Sequence, residues 1–408
     1  MGRPSVEVMS TTTSGTTSTT PRLHGLDALR AGALLLGIVL HTLMPFVPGI
    51  GWLVVDSETS VVAGIPVMVI HLFRMHLFMM LAGYLGRMVL HRRGPTSYLR
   101  DRTLRILLPL VAFWAPAVLG LGLVAGAVAL WRGTPPPQPP PTAGPPPPLA
   151  ELPPGQLWFL AVLMQCVLVV VVVRAVAVRL LGADRAGRVS ARLGAVLVAP
   201  AGVLLAALPY LVALLLQGMP EAGIAQPLTV LPQLVPLTAY LGAFLVGWWL
   251  HASSEALQRL AGRWRVHLGL AVLLSAALVL SYGVPVPEAA RSVVVAAAGW
   301  LWVYGLVGLC VRHLDQPRPA VRYLADASYW MYLVHLPLVV AVEGFLLADL
   351  TLPIVVKLVL TWALSGVLMV ASYDLLVRST WVGRWLNGHR RPRVLFRRRS
   401  AEARTPAA

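Results

Sequence analysis

Long apolar stretches, separated by short segments that carry most of the charges, make up the greater part of this chain. A stretch of about 20 apolar residues is long enough to cross the hydrocarbon core of a bilayer as an α-helix. The pattern predicts ten such spans, at approximately residues 27–47, 62–90, 105–130, 157–180, 194–216, 230–251, 266–283, 292–311, 328–347 and 354–376. We therefore predict an all-α fold, a polytopic membrane helical bundle.

The positive charges test this arrangement of spans. Of the 33 Lys and Arg residues, 29 fall in segments on the side that holds both termini, and the exceptions are Arg74, Arg132, Arg291 and Lys357. Basic residues mark the cytoplasmic side of a membrane protein. Both termini are therefore expected to be cytoplasmic, which agrees with an even number of spans. The net charge of +17 follows from this topology and does not indicate nucleic acid as a partner.

Composition supports a membrane protein with a single membrane domain. Only 12% of the residues are charged, whereas a soluble domain has about a quarter. We expect a disordered cytoplasmic tail at 1–22, a transmembrane domain at 23–378 with a proline-rich extracytoplasmic loop at 133–155, and a basic cytoplasmic tail at 379–408. The two cysteines, Cys166 and Cys310, lie inside predicted spans without metal-ligand spacing, so we predict no metal site.

The first span carries two ionisable residues on one stripe. Arg30 and His41 are eleven residues apart, which places them nearly in line on an α-helix and about 16 Å apart along its axis. Ionisable side chains within the hydrocarbon usually mark a functional site. A neutral histidine can take a proton from an alcohol, and the planar guanidinium of Arg30 suits phosphate oxygens. The structural alternatives are a core histidine bonded to a neighbouring group and, for Arg30 taken alone the stronger explanation, a positive-inside anchor. Asp27, one turn earlier, is placed to pair with Arg30.

The second span contains His71, Arg74 and His76 between apolar residues. An arginine in this position needs an anion or several carbonyl groups as partners, so Arg74 is a candidate site residue. Either histidine could line the same cavity or could simply be a packing residue. The Ala82-Gly83 pair further along allows another helix to approach closely.

Two further groups could contribute to a site. Arg102 and Arg105 lie three residues apart where the third span begins, and such a basic cluster suits a nucleotide, coenzyme A or lipid headgroups. In the ninth span, Tyr332 and His335 are also three residues apart and can share a helix face. These two residues could belong to a site or could form an ordinary hydrogen bond between helices.

Together these residues resemble the motifs of the acyltransferase 3 family of integral membrane O-acyltransferases, and most closely its subgroup similar to the osmoregulated periplasmic glucan succinyltransferases. The matching stretches are residues 26–30 with His41, 73–75 with Phe78 and 81–83, Arg102 and Arg105 with Pro109, 156–160, and 328–337. Two positions depart from the pattern. Ala82 stands where the family often has Ser, and Gln156 stands where the glucan subgroup commonly has His.

The resemblance implies an enzyme of the bacterial cytoplasmic membrane. It implies transfer of an acyl group, acetyl or succinyl, from cytoplasmic acyl-CoA to a hydroxyl of an extracytoplasmic glycan or related acceptor. His41 would be the catalytic base and Arg30 essential, while Arg102 and Arg105 match the second arginine motif. Acyl-CoA is then a co-substrate, and no bound cofactor is expected.

On this interpretation Arg102, Arg105 and Arg30 hold the phosphates of acyl-CoA, and His41 removes the proton of the acceptor hydroxyl. Arg74 or a backbone donor stabilises the oxyanion, as preorganised donors do in other enzymes. A relay in which His41 itself carries the acyl group is left open.

The main alternative is a transporter, for example an exporter of a sugar or a lipid-linked anion bound by Arg30 and Arg74. Many transporters contain internal repeats with paired broken helices, and no such self-similarity is evident in this sequence. The polar residues are instead concentrated in the first three spans and the ninth, which favours an enzyme. A purely structural scaffold does not explain Arg74 and His41 together.

Overall fold

The computed structural model describes residues 24–135, 152–218 and 223–396, and these residues form thirteen α-helices without a β-strand. The helices are α1 His24–Leu43, α2 Gly64–Arg93, α3 Pro95–Arg102, α4 Leu108–Arg132, α5 Trp158–Leu181, α6 Ala183–Leu197, α7 Gly202–Gln217, α8 Leu234–Ala252, α9 Ala256–Leu280, α10 Glu288–His313, α11 Pro319–Val342, α12 Ile354–Ser372 and α13 Trp381–Asn387. The predicted all-α fold is confirmed. The tail at 1–22, most of the proline-rich loop and the end of the C-terminal tail lie outside the described residues.

Within the described ranges, nine helical segments are long and apolar enough to cross a membrane, and α6 and α7 form a bent pair that can supply a tenth crossing. The predicted polytopic bundle is therefore confirmed. We call the side on which α1 begins the tail side, and the opposite side the loop side. With ten crossings, α1 begins and α12 ends on the tail side.

The fifth predicted span, at 194–216, differs from the structure. The chain bends by 97° between α6 and α7, and only α7 belongs wholly to the apolar stretch. Arg185, Arg188 and Arg192 recur at helical spacing on α6 and make it amphipathic, as is typical of a helix at a membrane surface. Pro200 lies in the break, where a proline cannot continue the hydrogen bonds of a helix.

Close helix packing holds the second span in the bundle. Gly83 on α2 lies directly against the backbone carbonyl of Phe244 on α8, so that a side chain at position 83 would overlap it. Small residues allow such approaches in membrane bundles, where packing drives helix association. The close helix contact predicted at Ala82-Gly83 is present, and the neighbouring helix is α8.

The segment between α1 and α2, residues 44–63, folds back over the loop-side ends of the bundle. We call it the connecting segment. The Ser57 backbone N–H and hydroxyl both donate to the Ala348 carbonyl, at 3.0 and 2.9 Å. Arg132 at the end of α4 donates to the Val55 carbonyl at 2.9 Å. Three separate parts of the chain therefore meet on the loop side.

A buried ion pair anchors the connecting segment. Lys357 on α12 has no exposed surface, and its Nζ lies 2.6 Å from an Asp56 carboxylate oxygen. On the rim, the Arg132 guanidinium makes two hydrogen bonds to Asp349, which lower the pKa of that carboxyl group. Because charges are costly to bury unless paired, the Asp56–Lys357 pair makes the docked position of the connecting segment the favourable one.

Removing one partner of the buried pair should destabilise the protein. We expect Asp56→Asn and Lys357→Met each to cost about 3–5 kcal/mol, since either change leaves the other group buried without its counter-charge. The measurement is the Tm in detergent by tryptophan fluorescence. Glu255→Gln, which removes the exposed Glu255–Arg259 pair on the tail side, is the control and should shift the Tm little. Equal shifts for all three variants would contradict this account.

Cysteine labelling tests the predicted orientation of the bundle. Cys166 and Cys310 are buried, so a membrane-impermeant maleimide should report only on introduced cysteines. We expect Tyr282→Cys, on the loop side between α9 and α10, to be labelled from outside intact cells. Glu255→Cys, on the tail side, should be labelled only after lysis. The reverse pattern would place the tail side outside the cell.

Candidate active site

One face of α1 carries the candidate site through the bundle. The helix is continuous from His24 to Leu43, so Arg30 and His41 share a stripe as predicted. Gly37 lies between them on the same face, seven residues after Arg30 and four before His41. His41 lies two residues before the end of α1, which places it in the loop-side half of that helix.

Two aromatic side chains enclose the His41 ring. Trp52 of the connecting segment stacks on it at 5.4 Å between ring centroids and an interplanar angle of 13°. His335 of α11 lies 5.3 Å away at 40°. The Nδ1 atom of His41 is buried and has no hydrogen-bond partner among the described residues. The imidazole is thus held by packing and keeps a nitrogen free to bind or exchange a proton.

Arg74 on α2 reaches the same face of α1. Its Nη1 occupies the space that a side chain at Gly37 would fill, and its Nε has no hydrogen-bond partner within the described part of the chain. The guanidinium lies within electrostatic reach of His41, His71 and His335. An arginine with a free N–H beside an unbonded imidazole can hold an anion or a developing oxyanion.

Backbone hydrogen bonds orient the other two histidines. The Nδ1 of His335 lies 2.8 Å from the Tyr332 carbonyl, and the Nδ1 of His71 lies 3.2 Å from the Val67 carbonyl. Since a carbonyl only accepts, these nitrogens carry the protons and each Nε2 remains an acceptor. The predicted candidates His71 and His335 therefore belong to the same group as His41 and Arg74.

Tyr332 joins α11 to the start of α5. Its hydroxyl donates to the Gln156 carbonyl at 2.9 Å, and the Gln156 side chain donates to the Leu333 carbonyl at 3.3 Å. The remaining oxygen of the Gln156 amide is buried without a partner in the described residues. Gln156 thus brings an unused hydrogen-bond acceptor next to the turn of α11 that carries His335.

The tail-side arginines are tied to two successive turns of α11. Arg30 donates to the Ala325 carbonyl at 3.2 Å and lies 3.6 Å from Asp27, as the spacing predicts. One turn further on, the Tyr329 hydroxyl donates to the Arg105 carbonyl at 2.6 Å. A π-helix at Thr103–Leu107, a distortion common at functional sites, follows α3 and sets the direction of Arg105.

Arg102 and Arg105 are partly committed to neighbouring groups. The Nε of Arg105 lies 3.0 Å from Asp101, and Arg102 lies 3.8 Å from the same carboxylate and over the ring of Tyr98 at 5.1 Å. Both remain partly exposed on the tail side. They are separated from His41 by the length of α1 between Arg30 and that histidine, so the tail-side and loop-side groups act at different ends of one site.

His76 is the one predicted candidate that lies apart from these groups. It packs among aromatic rings, with its ring centroid 3.8 Å from Tyr210 and 5.5 Å from Tyr240. The helix geometry explains the separation, because His76 is two residues from Arg74 and hence on the opposite face of α2, whereas His71 is three residues away.

Trp52 and Gly37 are the residues that sequence analysis missed. Trp52 lies in a short connection between spans, where no periodicity indicates which side chains turn inwards. Gly37 could have been noticed, because it is the small residue on the Arg30–His41 stripe and Arg74 needs space next to a neighbouring helix. Within the described ranges, no cluster of three or more His, Cys, Asp or Glu side chains could hold a metal ion.

Comparison with known proteins gives one result. A protein-family model described as an acyltransferase domain, Acyl_transf_3, matches residues 23–377. Neither a curated protein nor a solved structure matches the chain.

The contact between Gly37 and Arg74 can be tested with a single methyl group. We expect Gly37→Ala to displace the guanidinium and to lower the catalytic rate by about 10–100-fold, because small displacements of a positioned group have effects of that size. Gly32→Ala on the same helix is the matched control, since a Cβ there meets nothing within 4 Å. The rates are compared only between variants that have the same Tm, so that a difference in stability does not contribute. A Gly37→Ala protein as active as Gly32→Ala would show that Arg74 need not occupy this position.

Proposed function

We propose that this chain, which belongs to the acyltransferase 3 family, moves an acyl group from cytoplasmic acyl-CoA to a hydroxyl of an extracytoplasmic glycan or related acceptor. The acyl group is acetyl or succinyl, and the membrane is the bacterial cytoplasmic membrane. The family makes the chain an acyltransferase. Among the described residues a single helix pair, α6 and α7, is broken, so the paired broken helices typical of many transporters are not found there.

The observation that carries the proposal is the environment of His41. Its imidazole is held between Trp52 and His335, has a free nitrogen, and lies beside the Arg74 guanidinium. Acyl transfer to an alcohol needs a base for the hydroxyl proton and a donor for the carbonyl oxygen. His41 and Arg74 supply these two functions within one group of side chains.

The position of His41 fits an acceptor that arrives from the opposite side to the donor. His41 is near the loop-side end of α1, under the connecting segment, whereas the arginines for the donor lie on the tail side. If the tail side is cytoplasmic, the phosphates of acyl-CoA remain near Arg30, Arg102 and Arg105 while its thioester reaches His41. The acceptor hydroxyl then approaches from the loop side.

The reaction can be written from these residues. His41 takes the proton as the acceptor oxygen attacks the thioester carbonyl, and Arg74 stabilises the negative oxygen of the tetrahedral intermediate. When the C–S bond breaks, the proton on His41 passes to the coenzyme A sulfur, leaving an ester and free coenzyme A. In the relay version, a His41 nitrogen attacks the thioester first, the C–S bond breaks, and coenzyme A leaves as the thiol with the proton of the imidazole N–H. The acceptor hydroxyl then attacks the acyl-histidine, and its proton returns to the released imidazole.

Substitution of His41 tests the proposal. His41→Gln keeps a polar side chain of similar reach but cannot accept the proton, and we expect it to lower acyl transfer by about 10²–10⁴-fold, the range for loss of a general base. The measurement is incorporation of label from radiolabelled acetyl-CoA or succinyl-CoA into the envelope glycan of membrane vesicles. His313→Gln, an exposed histidine on the tail side, is the control.

A correctly folded His41→Gln protein with unchanged transfer would overturn the role of His41. The relay is distinguished by a single-turnover experiment without acceptor. Acyl transfer to the protein, located at His41 by mass spectrometry after rapid quenching, supports the relay. An unmodified protein under these conditions supports direct transfer.

A further inference from the structure

A cavity of about 750 Å³ lies on the tail side, next to the Asp27–Arg30 pair. The start of α1, the start of α11 and residues 391–395 form its walls, and Asp27 is among the residues that line it. A volume of this size is within the range for sites that hold small molecules, about 300–1,000 Å³. The cavity is separate from the group around His41.

Positive charge dominates the lining of this cavity. Its arginines are Arg318, Arg322, Arg378 and Arg391, against the two carboxylates of Asp27 and Asp326. Both carboxylates already have arginine partners, since Asp27 lies 3.6 Å from Arg30 and Asp326 lies 3.1 Å from Arg391. The exposed side chains of Arg318 and Arg322 form no ion pair or hydrogen bond within the described part of the chain, which leaves both available to an anion.

Arg378 is a buried member of the group with an unused donor. The residue is 8% exposed, and its Nη1 has no hydrogen-bond partner among the described residues. Its Nε donates to the Pro392 carbonyl at 2.8 Å, and its guanidinium lies over the Tyr323 ring at 4.7 Å. A guanidinium fixed in this way is preorganised to donate to one more oxygen.

The chain after α13 forms one wall of the cavity and is held there by Asp374. The backbone N–H groups of Val394, Leu395 and Phe396 donate to this buried carboxylate at 3.0–3.3 Å. These bonds fix the Asp374 carboxylate, which lies 3.8 Å from the Nε of Arg378 and leaves the Nη1 of that residue unpaired among the described residues. This segment of the basic tail therefore has a defined position in the structure.

The cavity also adjoins the other tail-side arginines. Asn387 donates to the Asp326 carbonyl at 2.9 Å, and the Arg105 guanidinium lies against the neighbouring Gly388. Asp326 itself lines the cavity, and Ala325 before it accepts the hydrogen bond from Arg30. A ligand with phosphates at two points could therefore contact the cavity and the Arg30–Arg105 region together.

We propose that this cavity binds the adenosine 3′-phosphate end of the acyl-CoA donor, with Arg318, Arg322 and Arg378 as ligands of the 3′-phosphate. This inference rests on the proposed function. The pyrophosphate then lies nearer Arg30 and Arg105, and the acyl arm extends along the α1 face towards His41. Coenzyme A has the required form, since it combines a phosphate-bearing head of nucleotide size, a second phosphate group and a long thin arm.

The experiment removes the phosphate and its ligands in turn. Binding of coenzyme A and of dephospho-coenzyme A, which lacks only the 3′-phosphate, is measured by calorimetry with the full chain in nanodiscs. We expect the native protein to bind coenzyme A at least about tenfold more tightly, since a hydrogen bond to a charged group contributes that much or more. In the Arg318→Ala/Arg322→Ala variant, which changes exposed residues only, the preference for coenzyme A should fall severalfold, since Arg378 alone then remains to bind the 3′-phosphate.

Two controls make the result specific. Arg259→Ala changes an exposed tail-side arginine outside the cavity and should keep the native preference. Arg105→Ala should weaken both ligands by the same factor and also keep the preference. Repeating the measurement in nanodiscs with and without phosphatidylglycerol tests whether an anionic lipid headgroup occupies the cavity instead.

Each other outcome has a definite meaning. Equal binding of both ligands by the native protein, or an unchanged preference in the double variant, would overturn the cavity proposal while leaving coenzyme A as the donor. If the double variant changes the preference for coenzyme A only in nanodiscs that contain phosphatidylglycerol, the cavity binds a lipid headgroup. That result would also overturn the cavity proposal. No binding of coenzyme A by folded native protein would overturn the proposed donor itself.

Discussion

The cost of placing charge inside a membrane protein constrains both ends of this structure. Arg74 is accommodated because Gly37 leaves space on α1, and Lys357 is accommodated because the connecting segment brings Asp56 to it. The Asp56–Lys357 pair also bears on the side chains around Arg74 and His41. The connecting segment that carries Asp56 also carries Trp52, which stacks on His41. Stability and the geometry of the site therefore depend on the same contacts.

Helix α11 connects these contacts along the membrane normal. From the tail side, Asp326 lines the cavity, Tyr329 bonds to the Arg105 carbonyl, Tyr332 bonds to Gln156, and His335 lies beside His41. A displacement of α11 along its axis would change the donor end and the imidazole end together. The remaining helices, α5 to α10, chiefly pack around this arrangement, and His76 with its aromatic neighbours belongs to that packing.

Hydropathy and helix geometry predicted much of this arrangement. The spans, the Asp27–Arg30 pair and the common face of Arg30 and His41 follow from spacing along single helices. The bend between α6 and α7 was not predicted, because the apolar residues of α7 continue into the apolar face of the amphipathic helix α6. The sequence therefore shows no boundary between the two helices. The contacts of Trp52, and the return of residues 388–396 to Asp374, depend on tertiary packing between distant segments and have no periodic signal.

The contact between Asp56 and Lys357 has a consequence for biosynthesis. The two residues are 301 positions apart in the chain, and His335 likewise follows His41 at a great distance. When α1 and α2 leave the translocon, Asp56, Arg74 and His41 therefore have none of their partners from α11 and α12. The pair of helices α1 and α2 is therefore inserted while the polar groups of Asp56, Arg74 and His41 lack these partners. Until α12 is in place, Asp56 lacks its counter-charge, so an incomplete chain exposes a carboxylate that the complete bundle buries and pairs.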